Sequence, residues 1–273
     1  MSNIERAVEM WVEALVKVWS MLITPLDSWN ADVYDVVRNI HAGITIGATA
    51  LCTALFLYGL IKRTSRLQDL KRPEVVFSSF IKLCIALGIT SSSMYLLEEL
   101  FGVFQAIITK IHGIGEGSFA VSVPEELVSA MNNTSFLESI EVGLFGLLAI
   151  LIIFIMSIIL LIVAWGRYLN VYLHIAVSGL FFAFFSAEET THIGVSFLKS
   201  FANASFRGVV IAIALVLYSV LMSTSNEGVI DLLTNENDTV GAIMLYMKDF
   251  LVGGFVTLGI CKAGDQIAQR MGF

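Results

Sequence analysis

Lys82, Arg167, Lys248 and Asp249 are charged residues set inside or between long apolar runs, and this is where chemistry would be sought first. An ionisable group in such a setting marks an ion or substrate path when a partner or a water-filled cavity receives it. Each also has a plainer reading. Arg167 is either a boundary residue at a cytoplasmic turn or one half of a pair with Glu188 or Glu189, 21 and 22 residues further on. Lys82 lies roughly 10 Å into its run at 1.5 Å per residue, where it snorkels back to the interface or joins an ion pathway. Lys248 and Asp249 are interfacial or face a bundle interior, and as helix neighbours about 100° apart they need not pair with each other.

Other chemistries find little support. His41, His112, His174 and His192 are scattered without ligand spacing, and Cys52, Cys84 and Cys261 lie in apolar runs as small core residues. Gly113-Ile-Gly115-Glu-Gly117 is followed by no Gly-Lys-Ser/Thr, so it reads as a turn and not a phosphate loop. Gly43 and Gly47 form a small-xxx-small pair of the kind that lets helices approach closely. No catalytic group, metal or cofactor is expected from these patterns.

The elements that must position these residues are transmembrane helices. From Gly143 to Phe185 the only formally charged side chain is Arg167, and about 20 apolar residues cross a hydrocarbon layer roughly 30 Å thick as a helix. Overall the chain is 57% hydrophobic and 14% charged, against about 25% charge in a soluble domain. Long apolar runs without dyad alternation select helices over a barrel, which predicts an all-α, polytopic membrane bundle. Apolar runs occupy about 41–61, 75–97, 142–165, 168–187, 206–222 and 240–261. Ahead of them Ile4, Val8, Trp11, Leu15, Val18 and Leu22 recur at helical spacing, which predicts an N-terminal amphipathic helix ended by Pro25.

Lys62, Arg63, Arg66, Lys71 and Arg72 crowd the loop between the first two runs, so this loop is cytoplasmic by the positive-inside rule. The N-terminus and the acidic stretch 98–141 are then outside. Six crossings would leave Lys262 and Arg270 outside. Five crossings, with 168–187 re-entrant or lying against the bundle, place Arg167, Lys199, Arg207, Lys262 and Arg270 in the cytoplasm, and five plus a re-entrant segment is preferred to six. The chain divides into an extracytoplasmic N-terminal region (1–39), a first helical hairpin (40–97), an acidic outer loop (98–141) and a C-terminal bundle (142–273).

The run from Trp165 to Phe201 resembles the signature segment of TrbL-like conjugal transfer proteins, especially their Gram-positive branch. There an apolar span ends in arginine, and Arg167, Tyr172, Glu189, Thr190, Gly194, Phe197 and Lys199 stand at matching positions. Gly179 stands where the family usually has proline, and glycine also breaks helices. Further matches are the basic loop and the opening of the second run, Phe77-Ser-Ser-Phe80-Ile-Lys82. The resemblance implies a non-enzymatic subunit of a conjugative type IV secretion system in the cell membrane, a channel or scaffold supporting export of single-stranded DNA with its protein. Its implied partners are secretion ATPases, other membrane subunits, lipids and further copies of itself, with direct contact to the transferred substrate open. The stretch 188–207 is expected to be a contact surface. Lys82, Lys248 and Asp249 motivate the alternative of a secondary transporter or ion channel.

Overall fold

The computed structural model describes residues 3–64, 73–115, 123–132, 136–235 and 239–270. Among them every regular element is a helix: α1 (Asn3–Ile23), α2 (Leu26–Trp29), α3 (Ala31–Thr64), α4 (Pro73–Ser91), α5 (Ser93–Gly115), α6 (Glu125–Asn132), α7 (Phe136–Ala183), α8 (Thr191–Asn235) and α9 (Thr239–Arg270). Four helical stretches are long and apolar enough to cross a membrane, Ala31–Lys62, Gly146–Ser186, Thr191–Thr234 and Thr239–Gly264. A fifth arises if α4 and α5, bent by 64° at Ser92, count as one span. This is a multi-pass membrane protein.

Two compact units form, each drawn from distant parts of the sequence. The first gathers residues 1–23, 105–166 and 207–267. In it α1 buries Ile4, Val8, Trp11, Leu15, Val18 and Leu22 while Arg6, Glu9, Glu13 and Lys17 stay exposed. Trp11 meets the ring of Tyr218 edge-on at 5.9 Å, and Tyr218 meets Phe250 at 6.3 Å. At Gly254 a Cβ would come within 2.3 Å of the Met156 methyl, so a larger residue there would require the end of that flexible side chain to shift.

The second unit gathers 24–104, 167–206 and 268–273. Small residues Ala48, Cys52, Ala86 and Ala183 form its close-packed centre, so the backbones of α3, α4 and α7 approach each other. Asn30 caps α3 by accepting from the Val33 amide at 3.1 Å. The bend after α4 has a local cause: the Thr90 hydroxyl donates to the Ala86 carbonyl at 2.8 Å, a back-bond that bends helices, next to three consecutive serines.

One expectation needs correction. The runs 142–165 and 168–187 are not separate elements, because α7 passes through Arg167 without a break. Arginine is a good helix former, and its charge does not end a helix. The segment expected to be re-entrant is the C-terminal part of α7, and Arg167 stands at no turn.

Candidate functional site

α7 closes with a 3-10 turn at Phe184–Ser186, and the chain reverses into α8 through Ala187–Thr190. The reversal is held by side chains. Thr190 Oγ1 donates to the Phe184 carbonyl at 2.7 Å, Thr191 Oγ1 donates to the Ala187 carbonyl at 2.9 Å, and Ser186 Oγ donates to the Ala183 carbonyl at 2.7 Å. These satisfy carbonyls that a helix end leaves without partners. Gly194, one turn into α8, lies under the Phe185 ring, where a Cβ would stand 2.6 Å from Cε2. Glu189 forms an ion pair with Lys62 at the end of α3, N to O 3.4 Å. Glu189, Thr190 and Gly194 therefore do different work in one corner: an ionic tie, a turn closure and room for a ring.

Lys82 joins this corner. It lines a cavity of about 290 Å³ bounded by α3 (Phe56, Gly59), α4 (Ser79, Lys82, Ile85) and Glu188 of the reversal. Lys82 is exposed and, among the described residues, makes no ion pair. Lys199 is exposed on α8 and does not line the cavity. Arg66, Lys71 and Arg72 lie outside the described residues, and Arg63 is placed only as part of the α3 backbone.

Arg167 sits 16 residues before the end of α7, roughly 24 Å along its axis, so no hairpin brings it to Glu188 or Glu189. It is buried, with its guanidinium carbon 5.0 Å from the centre of the Phe101 ring and 5.3 Å from that of Tyr168. Such cation–π contacts are worth about 0.5–2 kcal/mol, more as water is excluded. The residues after it anchor the start of the unit. Tyr168 stacks on Trp29 at 4.6 Å, and its hydroxyl donates to the Thr24 carbonyl at 3.0 Å. Tyr172 donates to the Leu26 carbonyl at 2.5 Å. Tyr172 thus carries a structural task that its place in the family-like segment did not disclose.

A buried polar joint went unnoticed in the sequence. His41 Nε2 is 2.9 Å from Ser93 Oγ, and Ser178 Oγ donates to Ser93 Oγ at 3.1 Å, linking α3, α5 and α7. Beside it Gly179 faces Thr45, whose Oγ1 would be 2.8 Å from an added Cβ. The close-approach glycine is Gly179, whereas Gly43 and Gly47 have open space around them. Nothing in the spacing of 52 and 85 residues between these partners signals the joint.

Contacts along α3 also fix direction. Thr45 faces Gly179, Ala48 and Cys52 share the close-packed centre with Ala183, and a Cβ built at Gly59 would stand 3.4 Å from Ala187 Cβ, just beyond α7. Residue numbers rise together, so α3 and the end of α7 run parallel and finish on the same face.

Lys248 and Asp249 belong to the other unit. They do pair, at 3.5 Å, and Asp249 Oδ2 accepts from Ser225 Oγ at 2.6 Å. Residues 15–179 match the family model described as TrbL/VirB6 plasmid conjugal transfer like protein. The match takes in Lys62 to Arg72, Lys82, Arg167 and Gly179, and ends before the α7–α8 corner. No curated protein and no solved structure matches the chain.

Proposed function

The chain belongs to the TrbL/VirB6 plasmid conjugal transfer-like family, and we propose that it is the multi-pass cell-membrane subunit around which a conjugative type IV secretion channel assembles. The family match carries this reading, since it covers residues 15–179 and several apolar helices accompany it. The subunit supports export of single-stranded DNA with its attached protein, as channel wall or scaffold, together with secretion ATPases, other membrane subunits and further copies of itself. The resemblance to the Gram-positive branch suits a Gram-positive cell membrane, and the basic loop after α3 suits an N-terminus outside.

Five crossings fit this role, with α3, the bent α4–α5 pair, α7, α8 and α9 each crossing once. The parallel course of α3 and the end of α7 supports the count, because the basic loop and the α7–α8 corner then share the cytoplasmic face. Lys62 and Glu189, one from each, meet at 3.4 Å. No re-entrant segment is needed.

The working surface in this proposal is the corner and the start of α8, with Glu189 and Lys199 facing the secretion machinery and Thr190 and Gly194 holding the shape. Loops fixed by a rigid scaffold are where interaction residues concentrate. The transporter reading draws less support, because Lys248 and Asp249 satisfy each other and Ser225. Glu189→Ala and Lys199→Ala, compared at matched protein levels in mating assays, test the surface. Transfer should fall at least about tenfold, equivalent to roughly 1.4 kcal/mol of lost interaction if transfer tracks binding. Normal transfer by both variants would remove the case for this surface.

A further inference from the structure

One face of α1 is packed among uncharged helix segments, and its other face is charged. Trp11 meets the Tyr218 ring at 5.9 Å, and a Cβ built at Gly254 would stand 3.6 Å from Trp11 Cζ2 and 2.3 Å from the Met156 methyl. Met156, Tyr218 and Gly254 lie inside 142–166, 208–226 and 250–261, stretches without a charged residue in three of the helices long and apolar enough to cross a membrane. Trp11 is held at their level. These helices expose apolar side chains, among them Leu151 and Ile155 on α7 and Leu217 and Leu221 on α8, the surface that acyl chains cover.

The outer face of α1 is of another kind. Arg6, Glu9, Glu13 and Lys17 recur at steps of three and four, which puts them on one stripe of the helix, and all four are exposed. Glu9 and Glu13 stand two residues either side of Trp11, about 3 Å along the axis, so they share its depth. Neither can bend out to the membrane surface. Met156 is 15 residues from Glu141 and 11 from Arg167, roughly 16 Å from the nearer, which exceeds the reach of a glutamate side chain. Ionised groups at such a depth face water or a protein partner and not lipid. Glu9 and Glu13 carry the same charge one turn apart, which water screens and a dry protein contact would not. Water is the occupant that fits.

We propose that α1 lines a water-filled passage in the membrane layer, with Arg6, Glu9, Glu13 and Lys17 as its wetted wall and the apolar faces of α7 and α8 turned to lipid. Selective pores present one sign of charge, and this stripe carries two of each, so the passage is aqueous and unselective. It depends on where α1 sits in the membrane and not on which machinery the chain serves.

Spin labels on full-length protein in phosphatidylglycerol liposomes test it. Single cysteines would be introduced by Glu9→Cys, Glu13→Cys, Leu151→Cys and Ile155→Cys, with exposed Cys84 replaced by alanine and Cys52 and Cys261 left buried. Power saturation then compares collisions of each label with oxygen, which concentrates in lipid, and with a nickel chelate, which stays in water. Labels at 151 and 155 should meet oxygen and lie at least about 10 Å below the phosphates. Labels at 9 and 13 should meet the chelate at least about fivefold more often than those on α7. DNA transfer is not read, so failure here and failure of the secretion role are told apart. Chelate contact at all four positions, or α7 labels lying at the membrane surface, would make α1 an interfacial helix and overturn the passage. Oxygen contact at all four would place α1 in lipid, and little contact with either reagent at 9 and 13 would mean that protein covers the stripe; each result would overturn it as well.

Discussion

Replacing Gly179 with alanine should loosen the α3–α7 contact at its closest point. The new methyl would stand 2.8 Å from Thr45 Oγ1 and 3.4 Å from Thr45 Cα, so the first of these contacts cannot persist. Thr45 has little freedom to yield. Its hydroxyl donates to the His41 carbonyl at 2.8 Å, and a β-branched residue in a helix has few rotamers. Crowding of this kind costs about 1–3 kcal/mol. Against it stands the gain from removing a helix-interior glycine, about 0.5–1 kcal/mol. The net loss is then about 0–2.5 kcal/mol, and in a chain near this size each kcal/mol shifts Tm by about 2–4 °C. Thermal unfolding in detergent, followed by tryptophan fluorescence or by the monodisperse fraction, would measure it. Two comparisons isolate the cause. Gly47→Ala, on α3 with nothing within 4 Å of its Cβ, should be neutral or slightly stabilising. In a Thr45→Ala background the cost of Gly179→Ala should largely vanish, because the obstructing oxygen is gone. If Gly179→Ala is as stable as Gly47→Ala, the reasoning is refuted.

Tyr172→Phe should lose about 1–3 kcal/mol of stability, since the Leu26 carbonyl is left without its donor in a buried corner, and the same thermal assay reads it. Thr190→Val should destabilise by about 1 kcal/mol while Thr190→Ser retains most of the turn, because the hydroxyl and not the methyl reaches the Phe184 carbonyl. Lys62→Gln should change stability by less than about 1 kcal/mol, its side chain being 57% exposed, so any loss of DNA transfer would report on contacts and not on folding. A cysteine introduced at Gln269, after removal of Cys52, Cys84 and Cys261, should resist a membrane-impermeant thiol reagent applied to intact cells. Labelling from outside would contradict five crossings.

Periodicity and composition disclosed the helices well where one residue pattern decided them. The apolar stripe Ile4, Val8, Trp11, Leu15, Val18 and Leu22 is buried along α1, together with Ala7, Ala14, Trp19 and Met21. The reading erred where a charge was taken as punctuation. Arg167 reads as the end of a span, yet α7 continues through it, and the Phe101 ring beside its guanidinium lies 66 positions away in the sequence. A linear pattern holds no trace of such a partner. The joint of His41, Ser93 and Ser178 was hidden for the same reason, as each residue alone is an ordinary polar side chain in an apolar run. Lys62, Lys82, Glu189, Thr190 and Gly194 were each singled out in the sequence, but that they meet at one corner follows only from the parallel course of α3 and α7.

The central claim is that this chain is a membrane subunit needed for conjugative DNA transfer, and mating with a clean deletion tests it most directly. The account predicts that transfer is lost, that cell viability and solute uptake are unchanged, and that the full-length chain supplied in trans restores transfer. Transfer at the wild-type frequency from the deletion strain would contradict it.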